Sequence, residues 1–242
     1  MQVSEYSGDI PAPGDVTEQN VETGALDRVK MRRVVLGPGA VWEPVLTVRP
    51  KQTQILLFTE GSGYVAAGGR AFNIDGPARF VPDFDREEVT VRAGEKGLSL
   101  IEIVADQNPE DSAQINKSHM VFPNFRPLSE AWECRMGSIR PDSNLSAFIL
   151  IENRKLGANN MGYFRSTKTG ASYTEPDTLK VYDHFVIALP GADFTVKAGT
   201  QVCDVKENSV VFIPHGTPFS FSCGEEGRIN HVWSSLNRAY DE

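Results

Sequence analysis

Gln54-Ile55-Leu56-Leu57-Phe58-Thr59-Glu60-Gly61 and His184-Phe185-Val186-Ile187-Ala188-Leu189-Pro190-Gly191 are the two stretches on which the fold turns. Each is an apolar run of strand length, opened by a polar residue and closed at a glycine. The second follows the first at an offset of 130 residues. Another pair of landmarks, Phe80-Val81-Pro82 and Phe212-Ile213-Pro214, is offset by 132. The small difference falls between the landmarks, where hairpin length varies freely. An apolar strand, a glycine turn, a hairpin and an apolar strand ending in proline therefore occur twice in one order. A repeat of this length means duplicated domains, because solenoid units are far shorter.

Around these runs the chain reads as short strands punctuated by turns. In the first copy Tyr64-Val65-Ala66-Ala67 and Arg70-Ala71-Phe72-Asn73-Ile74 flank Gly68-Gly69, a pair that supplies the positive φ of a tight hairpin. Glu88 to Val91 and Leu98 to Ile103 read as two further strands, with Glu60-Gly61-Ser62-Gly63 as a break before Tyr64. In the second copy strands resume at Ala147–Ile151 and Gly162–Arg165, and continue through Phe219–Phe221 and Asn230–Trp233. Regular short strands of this kind mean an all-β sandwich or barrel. Residues 1–28 read as an extended N-terminal arm, 29–105 as a first barrel, 106–145 as a linker and 146–242 as a second barrel. Within the linker, Asp106 to Asp111 reads as a polar loop and Leu128 to Glu133 as one or two helical turns.

Composition narrows the class. A net charge of -8 argues against nucleic acid, whose phosphates call for a surplus of Lys and Arg, and mildly against an anionic membrane. The opening residues carry neither the basic nor the apolar region of a signal peptide, and no apolar run reaches bilayer length. Cys134, Cys203 and Cys223 are odd in number and scattered, which is neither a disulfide framework nor a zinc pattern. A cytoplasmic protein handling a small-molecule ligand is the expectation.

The order of strand, glycine, hairpin and proline resembles the cupin superfamily. Its first motif is G-x5-H-x-H-x3,4-E-x6-G and its second G-x5-P-x-G-x2-H-x3-N. The closing glycine of the first matches Gly61 and Gly191, and the proline of the second matches Pro82 and Pro214, with Gly216 kept in the second copy. The resemblance covers about 34 to 104 and 147 to 235 and implies two tandem cupin (double-stranded β-helix, jelly-roll) barrels, a bicupin, commonly a homodimer. The positions that hold a metal in the family are replaced. Its glutamate falls on Gln54 and His184, its late histidine on Glu87 and Phe219, and its His-x-His pair on Val48 and Pro50, or Thr178 and Lys180. A divalent ion needs three or four N, O or S donors converging on one point. Neither copy keeps such a set, so no metal is expected; if one is bound, His184 is its ligand. A narrower resemblance is to bicupin ureidoglycine aminohydrolases, which also pair a degenerate first barrel with a second carrying histidine at the position of His184. Their last strand ends in a polar stretch like Trp233 to Arg238, but their other ligands would fall on Thr178, Lys180 and Phe219, which do not match.

Alternation places His184 on the face of Val186 and Ala188, and in the cupin alignment that face looks into the barrel. There a neutral imidazole can act as general base or ligand, or can be an ordinary core histidine. Lys180 and Tyr182 share its parity and stand as its catalytic partners, although Lys180 also reads as a solvated lysine at the strand entrance. His231 either faces inward beside Trp233, where it would meet His184 across the barrel, or lies on the surface. His215 sits in the turn Pro214 to Pro218, at a barrel mouth or simply exposed. In the first copy, Arg49 and Glu87, with Gln54, form a candidate substrate-binding rim, or ordinary surface charge. Two functions follow: an isomerase, lyase or hydrolase acting on a polar, carboxylated metabolite in the second barrel, or a non-catalytic ligand-binding or structural bicupin. The enzyme predicts that His184, Lys180 and His231 converge on an open cavity. The alternative predicts a barrel plugged by Phe219 and Phe221.

Overall fold

Antiparallel pairing organises the whole chain, because consecutive apolar strands joined by tight turns have no crossover long enough for a parallel ladder. A computed structural model of the protein describes residues 1–24, 26–46, 51–83, 88–134, 139, 143–175 and 182–237. Its strands in chain order begin with β1 (Gln2–Glu5), β2 (Val16–Asn20), β3 (Val29–Leu36), β4 (Val41–Trp42) and β5 (Gln52–Ala67). Then come β6 (Arg70–Asp75), β7 (Ala78–Val81), β8 (Val89–Asp106), β9 (Asn124–Pro127) and β10 (Trp132–Cys134). The second half holds β11 (Leu145–Leu156), β12 (Asn159–Ser166), β13 (Ser172–Thr174), β14 (Tyr182–Ala188) and β15 (Asp193–Ala198). It closes with β16 (Gln201–Lys206), β17 (Ser209–Ile213), β18 (Phe219–Ser222) and β19 (Asn230–Asn237). The fold is all-β. Among the described residues the only α-helix is α1 (Pro109–Ser118), and no helix is long and apolar enough to cross a membrane.

The chain divides into two compact units: Met1–Ser7 with Ala131–Asn153 and Ala158–Glu242, and Gly8–Glu130 with Arg154–Gly157. The unit holding residues 8–130 is one antiparallel sheet in the order β2-β3-β8-β5-β7-β9, with β4 added to β8 and β6 to β5. Alternation on β5 sends Gln54, Leu56 and Phe58 to one face, where Leu56 and Phe58 join Val34, Leu36, Phe80, Leu98 and Leu100 in the core. The other unit has a seven-stranded sheet, β1-β17-β14-β19-β12-β11-β10, and a four-stranded one, β13-β18-β15-β16. Its core joins Phe164 and Tyr173 to Val186, Val196, Val211 and Phe221.

Several local expectations are corrected. Glu60 to Gly63 is not a break between strands, since β5 runs through it and pairs with β8 along most of its length. Register shifts at Phe58/Glu60 and Gly61/Gly63 mark it as bulged strand. Val89–Asp106 is likewise one strand, not two. The stretch expected as a polar loop, Asp106 to Asp111, is the last residue of β8, a two-residue connection ending in the N-cap Asn108, and the start of α1. Asn108 accepts from the Asp111 amide at 2.8 Å, the Asp111 carboxylate accepts from the Asn108 amide at 3.3 Å, and Pro109 opens the first turn. Leu128–Glu130 makes a single 3-10 turn before the chain re-enters a strand. Of the opening 28 residues, Gln2–Glu5 pairs with β17 and Val16–Asn20 with β3, so both segments are ladder strands.

The motif glycines serve different ends. At Gly61, with φ +99°, an added Cβ would stand 2.3 Å from the Gly97 carbonyl oxygen, so the bulge closes only without a side chain. Gly191 is at φ +75° in an open turn with nothing within 4 Å of a Cβ. Gly191→Ala should therefore lose only the cost of a left-handed residue, about 1–2 kcal/mol. Gly61→Ala should lose that and more, because backbone must move. Urea unfolding of the two variants, read as midpoints, checks the order; equal losses would refute the close approach at Gly61.

Candidate functional site

On β14 and β19 the two-residue period decides which side chains face inward. The register pairs His184 with Ser235, Val186 with Trp233 and Ala188 with His231, so His184, Val186, His231, Trp233 and Ser235 share one face. They line a cavity of about 190 Å³ within the unit formed mainly by the second half, together with residues of β11, β12, β13 and β18. Its walls are largely apolar, from Ile149, Ile151, Phe164, Phe219 and Phe221. The polar groups sit in small sets.

The first set is centred on His184, which is 9% exposed. Its Nδ1 lies 2.8 Å from Ser235 Oγ. With Ser235 accepting from Nδ1–H, Nε2 becomes the acceptor, which is the tautomer a general base requires. Phe219 meets the imidazole edge-on with ring centres 4.9 Å apart, and Tyr182, also lining the cavity, stands at 6.0 Å.

The second set was not foreseen in the sequence. The Tyr173 hydroxyl donates to Glu175 Oε2 at 2.6 Å, while Glu175 Oε1 is buried without a hydrogen-bond partner. Burial pushes the Glu175 carboxyl up to about 7, and the Tyr173 hydrogen bond only partly opposes it. A carboxyl that titrates near neutrality inside a cavity can give or take a proton. The available signal was the alternation Ala171-Ser172-Tyr173-Thr174-Glu175, which puts Tyr173 and Glu175 on one face once the segment is recognised as a strand.

The third set is at His231, which is fully buried. Phe194 stacks on its ring at 5.3 Å, and Phe221 and Phe164 meet it at 4.8 Å and 5.5 Å. Neither ring nitrogen makes a hydrogen bond of good geometry, although the Val232 backbone lies close enough to favour the protonated ring slightly, and Nε1 of Trp233 has no partner. Burial lowers the His231 pKa to about 3, so the ring is neutral at physiological pH. Trp233 is seated against Gly162, where a Cβ would fall 2.4 Å from the indole Cζ2.

The expected meeting of His184 and His231 is corrected by the register. Their strands are neighbours, but His184 pairs with Ser235 and His231 with Ala188. That places them four residues apart along the ladder, roughly 13 Å at the strand rise. They line one cavity without touching.

His215 is placed outside it, on the other face of β14. It is half exposed, its amide donates to Asp183 at 3.0 Å, and its Nδ1 stands 3.5 Å from the same carboxylate. Gln54 is fully buried in the other unit, where its amide donates to Glu102 Oε1 at 2.7 Å and to the Val45 carbonyl at 3.0 Å. Glu102 is also bonded by Arg32 at 2.6 Å and 2.9 Å, while Gln54 Oε1 is buried without a hydrogen-bond partner. Lys180, Arg49 and Glu87 lie outside the described residues.

The donor chemistry does not fit a cupin metal. His184 stands where the family has glutamate, Phe219 supplies no donor, and among the described residues no three His, Cys, Asp or Glu side chains cluster. Elemental analysis of the purified protein is expected to find well under one equivalent of Mn, Fe, Ni or Zn. A full equivalent would require donors beyond these.

At the level of sequence, no family model and no curated protein matches the chain. Solved structures do. A structural-genomics target from Pseudomonas aeruginosa is similar at 12% identity and TM-score 0.72, over 96% of this chain and 83% of that one. A cupin 2 conserved barrel domain protein from Leptotrichia buccalis is similar at 11% identity and TM-score 0.59, over 95% and 92%. The chain has the cupin fold. The oxalate decarboxylase of Lactobacillus farciminis, solved with formate, is also similar, at 10% identity and TM-score 0.65, over 98% and 86%. At these identities the cupin likeness concerns the fold alone.

His231 makes a testable contribution to stability. Its folded pKa is about 3 against an ordinary 6.5, so between those values the unfolded chain binds a proton that the folded chain does not. Stability contributed by the neutral histidine is thus present above pH 6.5 and lost toward pH 3, at up to about 1.4 kcal/mol per pH unit. His231→Phe should flatten the acid limb of a urea-unfolding series from pH 7 to pH 4. An unchanged limb would show that His231 is not the group responsible.

Proposed function

We propose that the chain is a bicupin whose C-terminal barrel is a small-molecule enzyme of isomerase, lyase or hydrolase type. The observation that carries the reading is that His184 with Ser235, and Glu175 with Tyr173, line the same cavity. Two proton-handling groups in a largely apolar enclosure form the apparatus of general acid–base catalysis. His184 Nε2 takes a proton from the substrate or from water. Glu175, protonated below about pH 7, returns one. Tyr182 and Asn160 border the same space and orient the substrate. The likeness to an oxalate decarboxylase supports a lyase by fold analogy only. No step is assigned to Lys180.

A non-catalytic ligand carrier is the second reading, favoured by the aromatic wall of Phe164, Phe219, Phe221 and Trp233. The two readings separate on turnover. Metabolites that raise the melting temperature should be incubated with the protein and followed by NMR for conversion. For the enzyme, His184→Ala and Glu175→Gln each lower turnover by about a hundredfold or more while folding is kept. The rate should fall as pH rises through about 7, where Glu175 loses its proton. Ligand binding without conversion, unchanged in both variants, would establish the carrier instead.

A further inference from the structure

We propose that the cavity takes a small molecule with a carboxamide head and a short apolar remainder, and that Asn160 is the residue that reads the head. This rests on the reading that the cavity is the ligand site, and deepens it by naming the chemical class. Asn160 is more than nine-tenths buried and lines the cavity. Among the described residues its carboxamide has no hydrogen-bond partner. The nitrogens of His231 and the indole N–H of Trp233 are sealed from the cavity, but both polar atoms of the Asn160 carboxamide keep surface open to it. A buried polar group without a protein partner is uncommon, and here its partner can enter.

The ladder register shows how that partner is oriented. Asn160 pairs with Ser235, and Ser235 with His184, so the three stand side by side on the inward face. Phe219 meets His184 across the cavity, and its carbonyl accepts from the Glu175 amide at 2.9 Å, which sets Glu175 at the level of this polar row. The next inward row is Gly162, Trp233 and Val186, and Phe221 lies one inward position beyond Phe219. The cavity is therefore polar at one end and apolar at the other. A ligand that suits both carries its hydrogen-bonding group at one end and carbon at the other. The head follows from the chemistry of Asn160, which presents an N–H donor and a C=O acceptor side by side. A ligand carboxamide meets both at once. A carboxylate meets only the donor and turns its second anionic oxygen toward Asn160 Oδ1. Size limits the remainder, because about 190 Å³ is only slightly more than the ~150 Å³ apolar cavity that accommodates benzene.

The test is an NMR titration of the 15N-labelled full chain at pH 6 with isovaleramide, isovalerate and toluene, followed at the backbone amides of Val186 and Trp233. The first two share a branched alkyl chain and differ in the head; toluene has an apolar body and no head. Isovaleramide is expected to bind about tenfold more tightly than isovalerate and to move the Asn160 side-chain NH2 signal. In Asn160→Leu, which keeps the branching of the side chain and removes its polar atoms, that preference should vanish. Toluene should bind the variant as before, and its retained affinity shows that the cavity is kept. If the variant does not fold, the wild-type preference and the Asn160 signal decide. A preference undiminished in Asn160→Leu, or isovaleramide binding with the Asn160 signal unmoved, would overturn the inference. Toluene or isovalerate binding as tightly as isovaleramide would overturn it too, yet leave the cavity as the ligand site. Failure of all three to bind would count against both readings.

Discussion

The pleat of two neighbouring strands governs everything in the second half of this protein. Because side chains alternate strictly, pairing His184 with Ser235 and Ala188 with His231 sends five cavity residues inward together. A slip of one residue on either strand would exchange them for the opposite set, which on β14 includes Asp183 and Phe185. Asp183 is itself tied to the His215 turn through the backbone amide. That bond lies beyond the C-terminal end of β17, beside the strand that pairs with β14, and favours the register that keeps His184 inward.

The two copies show what happens when the same scaffold is filled differently. Gln54 occupies in the first copy the position that His184 occupies in the second, and both face inward. Gln54 is bound to Glu102, which is held in turn by Arg32, and apolar side chains such as Leu56, Phe58 and Phe80 fill the space behind. A buried carboxylate so paired is costly to disrupt and has no freedom to handle a substrate proton. His184 instead bonds a neutral hydroxyl and opens on empty space. The different surroundings of the two side chains follow from one residue and its partners, with the strand order conserved.

Architecture was more legible than the site. The repeat of apolar run, glycine and proline is carried by positions that backbone geometry requires, such as Gly61 and the strand-ending Pro82 and Pro214. Glycine was misleading at Glu60 to Gly63, because the same residue that permits a turn permits a bulge, and only the partner strand distinguishes them. The helix at Pro109 was readable from Asn108, Pro109 and Asp111, whose capping pattern outweighs the polarity that suggested a loop. His184 and Tyr182 could be placed by parity on a long apolar strand. Glu175 could not, since β13 is three residues long and its face is set by pairing with β18. His231 lacked a decisive parity signal for another reason: both faces of β19 are buried.

The cavity carries a cost that packing alone does not account for. An imidazole without a hydrogen bond of good geometry among phenylalanines is less stable there than a phenyl ring would be, by about 1–3 kcal/mol for each group left unsatisfied. The surroundings could accommodate the change, since Phe164, Phe194 and Phe221 already form the aromatic contacts. Trp233 adds an unpartnered indole N–H and needs Gly162 beneath it to fit at all. Folding alone would favour Phe at 231. Residues that cost stability in this way are characteristic of functional sites.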